Sequence, residues 1–150
     1  MYSKKETSLQ REQFWTAFGS YMAPVLSAEG EKINWINYKT GQKDIRFVLQ
    51  VDTAAYVAIE FSHKDAELQD LQFEKLLQFK KIIELMLKEE WKWERKVILA
   101  DGKMISRVFC ELENVSIMNK NDWPQLISFF KQRIIALDFF WSEYKFAFEN

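Results

Sequence analysis

The chain has one cysteine, one histidine, four glycines and two prolines in 150 residues, and each scarcity removes a class of function. A single Cys110 excludes an intramolecular disulfide and any cysteine-based zinc site. It stands in an apolar strand pattern, Val108-Phe109-Cys110, which predicts a buried thiol rather than a nucleophile. One histidine, His63, makes a zinc enzyme or a Ser-His-Asp triad hard to build. No glycine-rich phosphate loop and no cofactor signature is present, so a small-molecule binding domain has no motif behind it. Net charge is nearly absent as well: 21 basic against 22 acidic residues leave a formal −1, with no global pull toward nucleic acid. The first residues lack the apolar core of a signal peptide and no run approaches transmembrane length, so no membrane contact and a reducing, cytoplasmic setting are expected.

Aromatic side chains are plentiful. Apolar residues make up 48% and aromatics 16%, with 13 Phe and 6 Trp, enough for a core and a surplus for an interface. The length fits one domain over residues 1–150.

The most informative stretch is a strand pair, residues 44–52 returning as 55–62. In the first, Ile45, Phe47, Leu49 and Val51 share one face while Asp44, Arg46, Val48 and Gln50 share the other. In the second, Ala55, Val57, Ile59 and Phe61 oppose Tyr56, Ala58, Glu60 and Ser62. A tight turn near Asp52-Thr53-Ala54 sets Asp44 opposite Ser62 and Arg46 opposite Glu60. Two carboxylates, Asp44 and Glu60, then lie on one face at one end.

Around this pair the pattern predicts a first helix over 8–26, capped by Ser8, and a strand over 32–38 carrying Trp35 and Tyr38. A long helix over 65–91 follows, with Asp65 or Ser62 at its start. Lys80, Lys81, Lys88 and Lys92 make its outer surface basic, as a solvated face or a phosphate contact requires. Strands over 93–99 and 104–112 meet at Asp101-Gly102, a dipeptide suited to a tight hairpin turn. The last helix starts near Asn121 or Asp122, with Pro124 in its first turn. Its aromatic residues, Phe129 through Phe148, predict burial nearly all round or a homodimer contact.

The order of helix, three-strand meander, long helix, hairpin and C-terminal helix around one mixed sheet is an α+β arrangement. It resembles the core of the restriction endonuclease-like, PD-(D/E)XK, superfamily. The resemblance rests on Asp44 in Gln-Lys-Asp-Ile-Arg and Glu60 in Ile-Glu-Phe-Ser, and covers the first helix through the long helix. The spacing of Phe14-Trp15, Trp35, Phe73 to Phe79, Trp91 to Trp93 and Trp123 is also similar to an uncharacterised bacterial domain family found C-terminal to nuclease-type domains.

The first resemblance implies metal-assisted phosphodiester hydrolysis on nucleic acid, with Asp44 and Glu60 ligating Mg²⁺ and a lysine orienting the attacking water. The lysine position here is Ser62, a neutral hydroxyl. Lys64, of the same strand parity, and Lys43, beside the pair, are the candidates to supply the charge. The alternative needs no metal: Arg46 across from Glu60 makes a structural charge cluster, His63 lines the helix start, and the domain serves as a catalytically silent module binding a protein or nucleic-acid partner.

Overall fold

The computed structural model describes residues 2–149. Its elements run α1 (Lys4–Met22), β1 (Ile45–Val51), β2 (Ala55–Phe61), α2 (Ala66–Leu77), α3 (Lys80–Leu87), β3 (Lys92–Ile98), β4 (Met104–Leu112) and α4 (Trp123–Tyr144). This is an α+β fold with four strands in the order β1-β2-β4-β3.

The sheet is antiparallel throughout, where a mixed sheet was expected. The reason lies in strand order. The helical crossover after β2 brings β3 back in the same direction, but β4 enters between the two and pairs antiparallel with both.

Alternation sorts the sheet into two faces. Ile45, Phe47, Val51, Ala55, Val57, Ile59, Phe61 and Val108 are buried on one. There α4 packs on β1 and β2, α2 packs on β2, β3 and β4, and α1 and α3 pack against α4. All four helices therefore lie on this side. The other face carries Arg46, Gln50, Tyr56, Glu60, Arg107 and Glu111, and its aromatic contacts run from strand to strand.

Residues 32–38 do not form the expected strand, so the meander has two strands and not three. The Asn34 side chain accepts from the amides of Ile36 and Asn37, at 3.0 and 3.1 Å, and holds the backbone in a turn. Trp35 is buried all the same, its indole N–H donating to the Val25 carbonyl. Aromatic content here serves to anchor a loop.

The long helix is broken in two. The amides of Gln78 and Phe79 reach back only three residues, to the carbonyls of Lys75 and Leu76, which tightens the last turn and ends α2. Phe79 then inserts among Phe140, Tyr144 and Phe148, turning α3 onto α4. Lys80 and Lys81 thus belong to a separate short helix, and Lys88 is the left-handed residue that caps its end.

Helix starts also differ from expectation. α1 begins at Lys4 with Ser3 as its cap, which places Ser8 inside the helix. Asp122 does not cap α4; its carboxylate accepts instead from the Ser116 amide at 2.9 Å. Pro124 sits in the first turn as expected. The 101–102 turn forms with Gly102 at φ 86°, a left-handed backbone that glycine adopts without strain. Of the C-terminal aromatics, Phe129, Phe130, Phe140, Trp141 and Phe148 are buried, while Phe139 and Phe146 are exposed.

Candidate functional site

The β1–β2 register is the one the alternation implies. Arg46 pairs with Glu60, and the Ser62 amide donates to the Asp44 carbonyl at 2.9 Å. Asp44, Arg46, Glu60 and Ser62 therefore sit at one end of the strand pair. Their side chains divide between two cavities.

Asp44 belongs to the first, about 430 Å³, which it lines with Ser62, His63, Lys64, Lys103 and Met104. Its Oδ2 is 3.7 Å from His63 Nε2. The Asp65 amide donates to His63 Nδ1 at 3.0 Å, which leaves the ring proton of a neutral imidazole on Nε2, toward Asp44. Asp65 in turn caps α2 through Glu67 and Leu68. His63 thus lines the helix start, as expected, and is also the group nearest Asp44. Lys64 shares this cavity, and Lys43 is exposed and lines neither.

Glu60 belongs to the second cavity, a depression of about 600 Å³ on the outer sheet face. Its Oε2 accepts from the Tyr56 hydroxyl at 2.9 Å. Tyr56 and Glu60 flank Ala58 on the same face of β2, so the phenol must run across a residue whose side chain is a single methyl. Ala58 is fully buried, as that path requires.

Arg107, paired with Glu60 from β4, donates to the Tyr56 oxygen at 3.3 Å and through Nε to Glu94 at 2.9 Å. Its guanidinium also lies 4.3 Å from the Phe109 ring centre. The result is a strand-to-strand network of Glu60, Tyr56, Arg107 and Glu94. Burial, followed by the Glu60 charge, raises the Tyr56 pKa above the ordinary phenol range and keeps it a donor. Arg46 is exposed, and among the described residues it forms no ion pair. The cross-strand contact expected with Glu60 is replaced by Tyr56.

The fold thus joins Asp44 with Ser62 and Lys64 along one cavity, and Glu60 with Arg46 along another. Among the described residues no group of three or more His, Cys, Asp or Glu side chains is arranged to hold a metal ion. Sequence reasoning missed Arg107, Glu94 and Lys103, which come from β4, β3 and their turn. The alternation of Arg107, Phe109 and Glu111 marked a polar face, but only the strand order brings it beside Glu60.

Cys110 is half-buried, and burial, opposed by the nearby Arg133 guanidinium, pushes its thiol up to about 12. Against an ordinary thiol the thiolate fraction at pH 8 falls by roughly 10³-fold. Modification by a soluble disulfide reagent is expected to be correspondingly slow in the folded protein and rapid in denaturant. The raised value also sets a sign for stability. The unfolded chain releases this proton first, so the thiol's contribution is complete below the ordinary thiol pKa and is lost as pH rises toward 12.

A family model described as "Domain of unknown function (DUF4268)" matches residues 10–145, and the chain belongs to that family. Neither curated proteins nor solved structures yield a match.

Proposed function

We propose that this member of the family is a restriction endonuclease-like domain that works by binding a protein partner and not by cutting nucleic acid. The observation that carries this reading is that the two carboxylates are engaged by different partners: Asp44 Oδ2 lies 3.7 Å from His63 Nε2, while Glu60 accepts from Tyr56 beside Arg107. A two-carboxylate Mg²⁺ site needs both oxygens converging on one ion. Ser62 in the lysine position points the same way.

The binding face in this proposal is the outer side of the sheet. Tyr56 and Arg107 lie at its centre, residue types that anchor protein interfaces. Around them Arg46 and Lys92 alternate with Asp52, Glu60, Glu94 and Glu111. A phosphate backbone would meet more negative than positive charges there, whereas a protein surface of mixed charge can match both. A cytoplasmic setting belongs to the same proposal; among the described residues no helix is long and apolar enough to cross a membrane.

A photo-crosslinker installed at Gln50, exposed beside this face, tests the surface. The expected product is one defined protein adduct, lost with Arg107→Glu and retained with Lys81→Glu on α3. An adduct with nucleic acid, or one indifferent to Arg107, contradicts the reading.

The second reading is Mg²⁺-dependent phosphodiester hydrolysis, with Asp44 and Glu60 as ligands and Lys64 as the charge partner. It is supported by the common end of the strand pair from which Asp44, Ser62 and Lys64 reach one cavity.

A further inference from the structure

The two edges of the sheet are unlike each other. β3 carries Lys92, Arg95 and Lys96, its ladder to β4 shifts between Glu94 and Val97, and Lys96 sits at φ 53° inside that shift. Charges and bulges of this kind keep an edge strand from pairing with another chain. β1, the opposite edge, has no bulge, no lysine and no proline. Its pairing with β2 is unbroken from Ile45 to Val51.

Past Ile45, the outward side of the β1 main chain makes no hydrogen bond among the described residues. The Ser62 amide donates to the Asp44 carbonyl and the Asp52 amide to the Ala54 carbonyl, so even-numbered positions turn their polar groups toward β2. Alternation turns those of Ile45, Phe47, Leu49 and Val51 outward. Ile45 is satisfied there: its carbonyl accepts from Thr40 Oγ1 at 2.7 Å, and its amide donates to the Gln42 carbonyl at 3.2 Å. No turn, loop or side-chain hydrogen bond among the described residues reaches the main chain of Phe47, Leu49 or Val51. A groove of about 350 Å³, lined by Arg11, Trp15, Leu49, Val51 and Asp52, runs beside them.

We propose that a second copy of this chain pairs here, β1 against β1, antiparallel about a two-fold axis at Leu49. The two sheets then become one. In this register Leu49 faces the partner's Leu49, Phe47 faces the partner's Val51, and Arg46 faces the partner's Asp52.

Charge selects both the register and the occupant. Among the described residues Arg46 is exposed without an ion pair, and the Asp52 side chain is 83% exposed with only a 3.7 Å contact to Arg11. Placing the axis at Phe47 or Val48 instead sets Arg46 against Val48 or Gln50, and placing it at Gln50 or Val51 carries Arg46 past the end of the strand. Only the Leu49 axis satisfies two opposite charges, twice over by symmetry. A strand complementary to itself in one register calls for its own copy. This inference rests on the edge of the sheet; Arg46 and Asp52 also border the outer face, but self-association of the pure chain reads the edge alone.

Sedimentation velocity and light scattering from micromolar to hundreds of micromolar protein test it. The expected species has twice the 18.0 kDa chain mass. Arg46→Glu and Asp52→Arg are each expected to weaken association about ten-fold, since each replaces two attractive cross-strand pairs by two repulsive ones. An equimolar mixture of the two variants should recover wild-type affinity, because every mixed contact again joins opposite charges. Recovery also shows that both variants fold. Hydrogen exchange reads the same edge in the unaltered chain: the amides of Phe47, Leu49 and Val51 should gain protection as concentration rises. A wild type that stays monomeric overturns the proposal. So does a dimer indifferent to both substitutions with no such protection, or one lost instead when Phe139 and Phe146 on the C-terminal segment are made polar.

Discussion

Phe130→Ala is expected to destabilise the domain by about 3–5 kcal/mol, read as a shift in the urea midpoint with the slope unchanged. Phe130 is 0% exposed, and its ring meets Phe14, Trp15, Phe18 and Phe129 at centroid distances of 5.2 to 6.1 Å. It joins α1 to α4, two elements separated by more than a hundred residues. Truncation leaves a cavity walled by rings on both helices, and rings on helix backbones relax into such a space poorly. A surface comparison sharpens the result: Phe139→Ala, one face round on the same helix and half exposed, should change stability by less than ~1 kcal/mol. Equal effects from the two would contradict the packing described.

Asp138→Ala is expected to cost roughly 3–5 kcal/mol, for an electrostatic reason and not a packing one. Asp138 lies only 4% exposed in α4, and both of its oxygens are used. Oδ2 accepts from the Ala28 amide at 2.7 Å, and Oδ1 accepts from the Tyr38 hydroxyl at 2.5 Å. Charge-assisted bonds of this kind contribute roughly 1.5–3 kcal/mol each. Alanine removes both and leaves a half-buried phenol and a half-buried backbone amide without these partners. Tyr38→Phe deletes one of the two bonds and should cost about half as much. Burial, with Asp138 next, raises the Tyr38 pKa above the ordinary phenol range, so the hydroxyl remains a donor at moderately alkaline pH. Equal losses from both substitutions would assign the whole effect to Tyr38.

That same contact explains which parts of the fold were legible. The 44–62 hairpin and the turn at Gly102 follow from alternation and turn residues a few positions apart; the first forms in the expected register, while the ladder of the second shifts between Glu94 and Val97. The 23–44 connection could not be read in this way. Trp35 and Tyr38 look like strand formers, but their conformation is decided by a local Asn34 turn and by Asp138, a hundred residues away. The break at Phe79 has no glycine or proline to announce it. Its cause is Phe140, Tyr144 and Phe148, supplied by the other end of the chain.

The candidate site divides along the same line. Parity alone placed Asp44, Arg46, Glu60 and Ser62 on one face. Parity could not say that Tyr56 would reach past Ala58 to take the Glu60 carboxylate, nor that Arg107 would stand beside it, because that depends on β4 lying between β2 and β3. The family match likewise carries no assigned activity.

Whether Asp44 and Glu60 act together is the point on which binding and cutting part. Isothermal titration of Mn²⁺ and Mg²⁺ into the wild type and into Glu60→Ala puts it to the test. The account predicts the same result for both proteins, with no saturable heat that depends on Glu60. Saturable binding in the wild type that disappears in Glu60→Ala would contradict it, and would make the carboxylate pair a metal site.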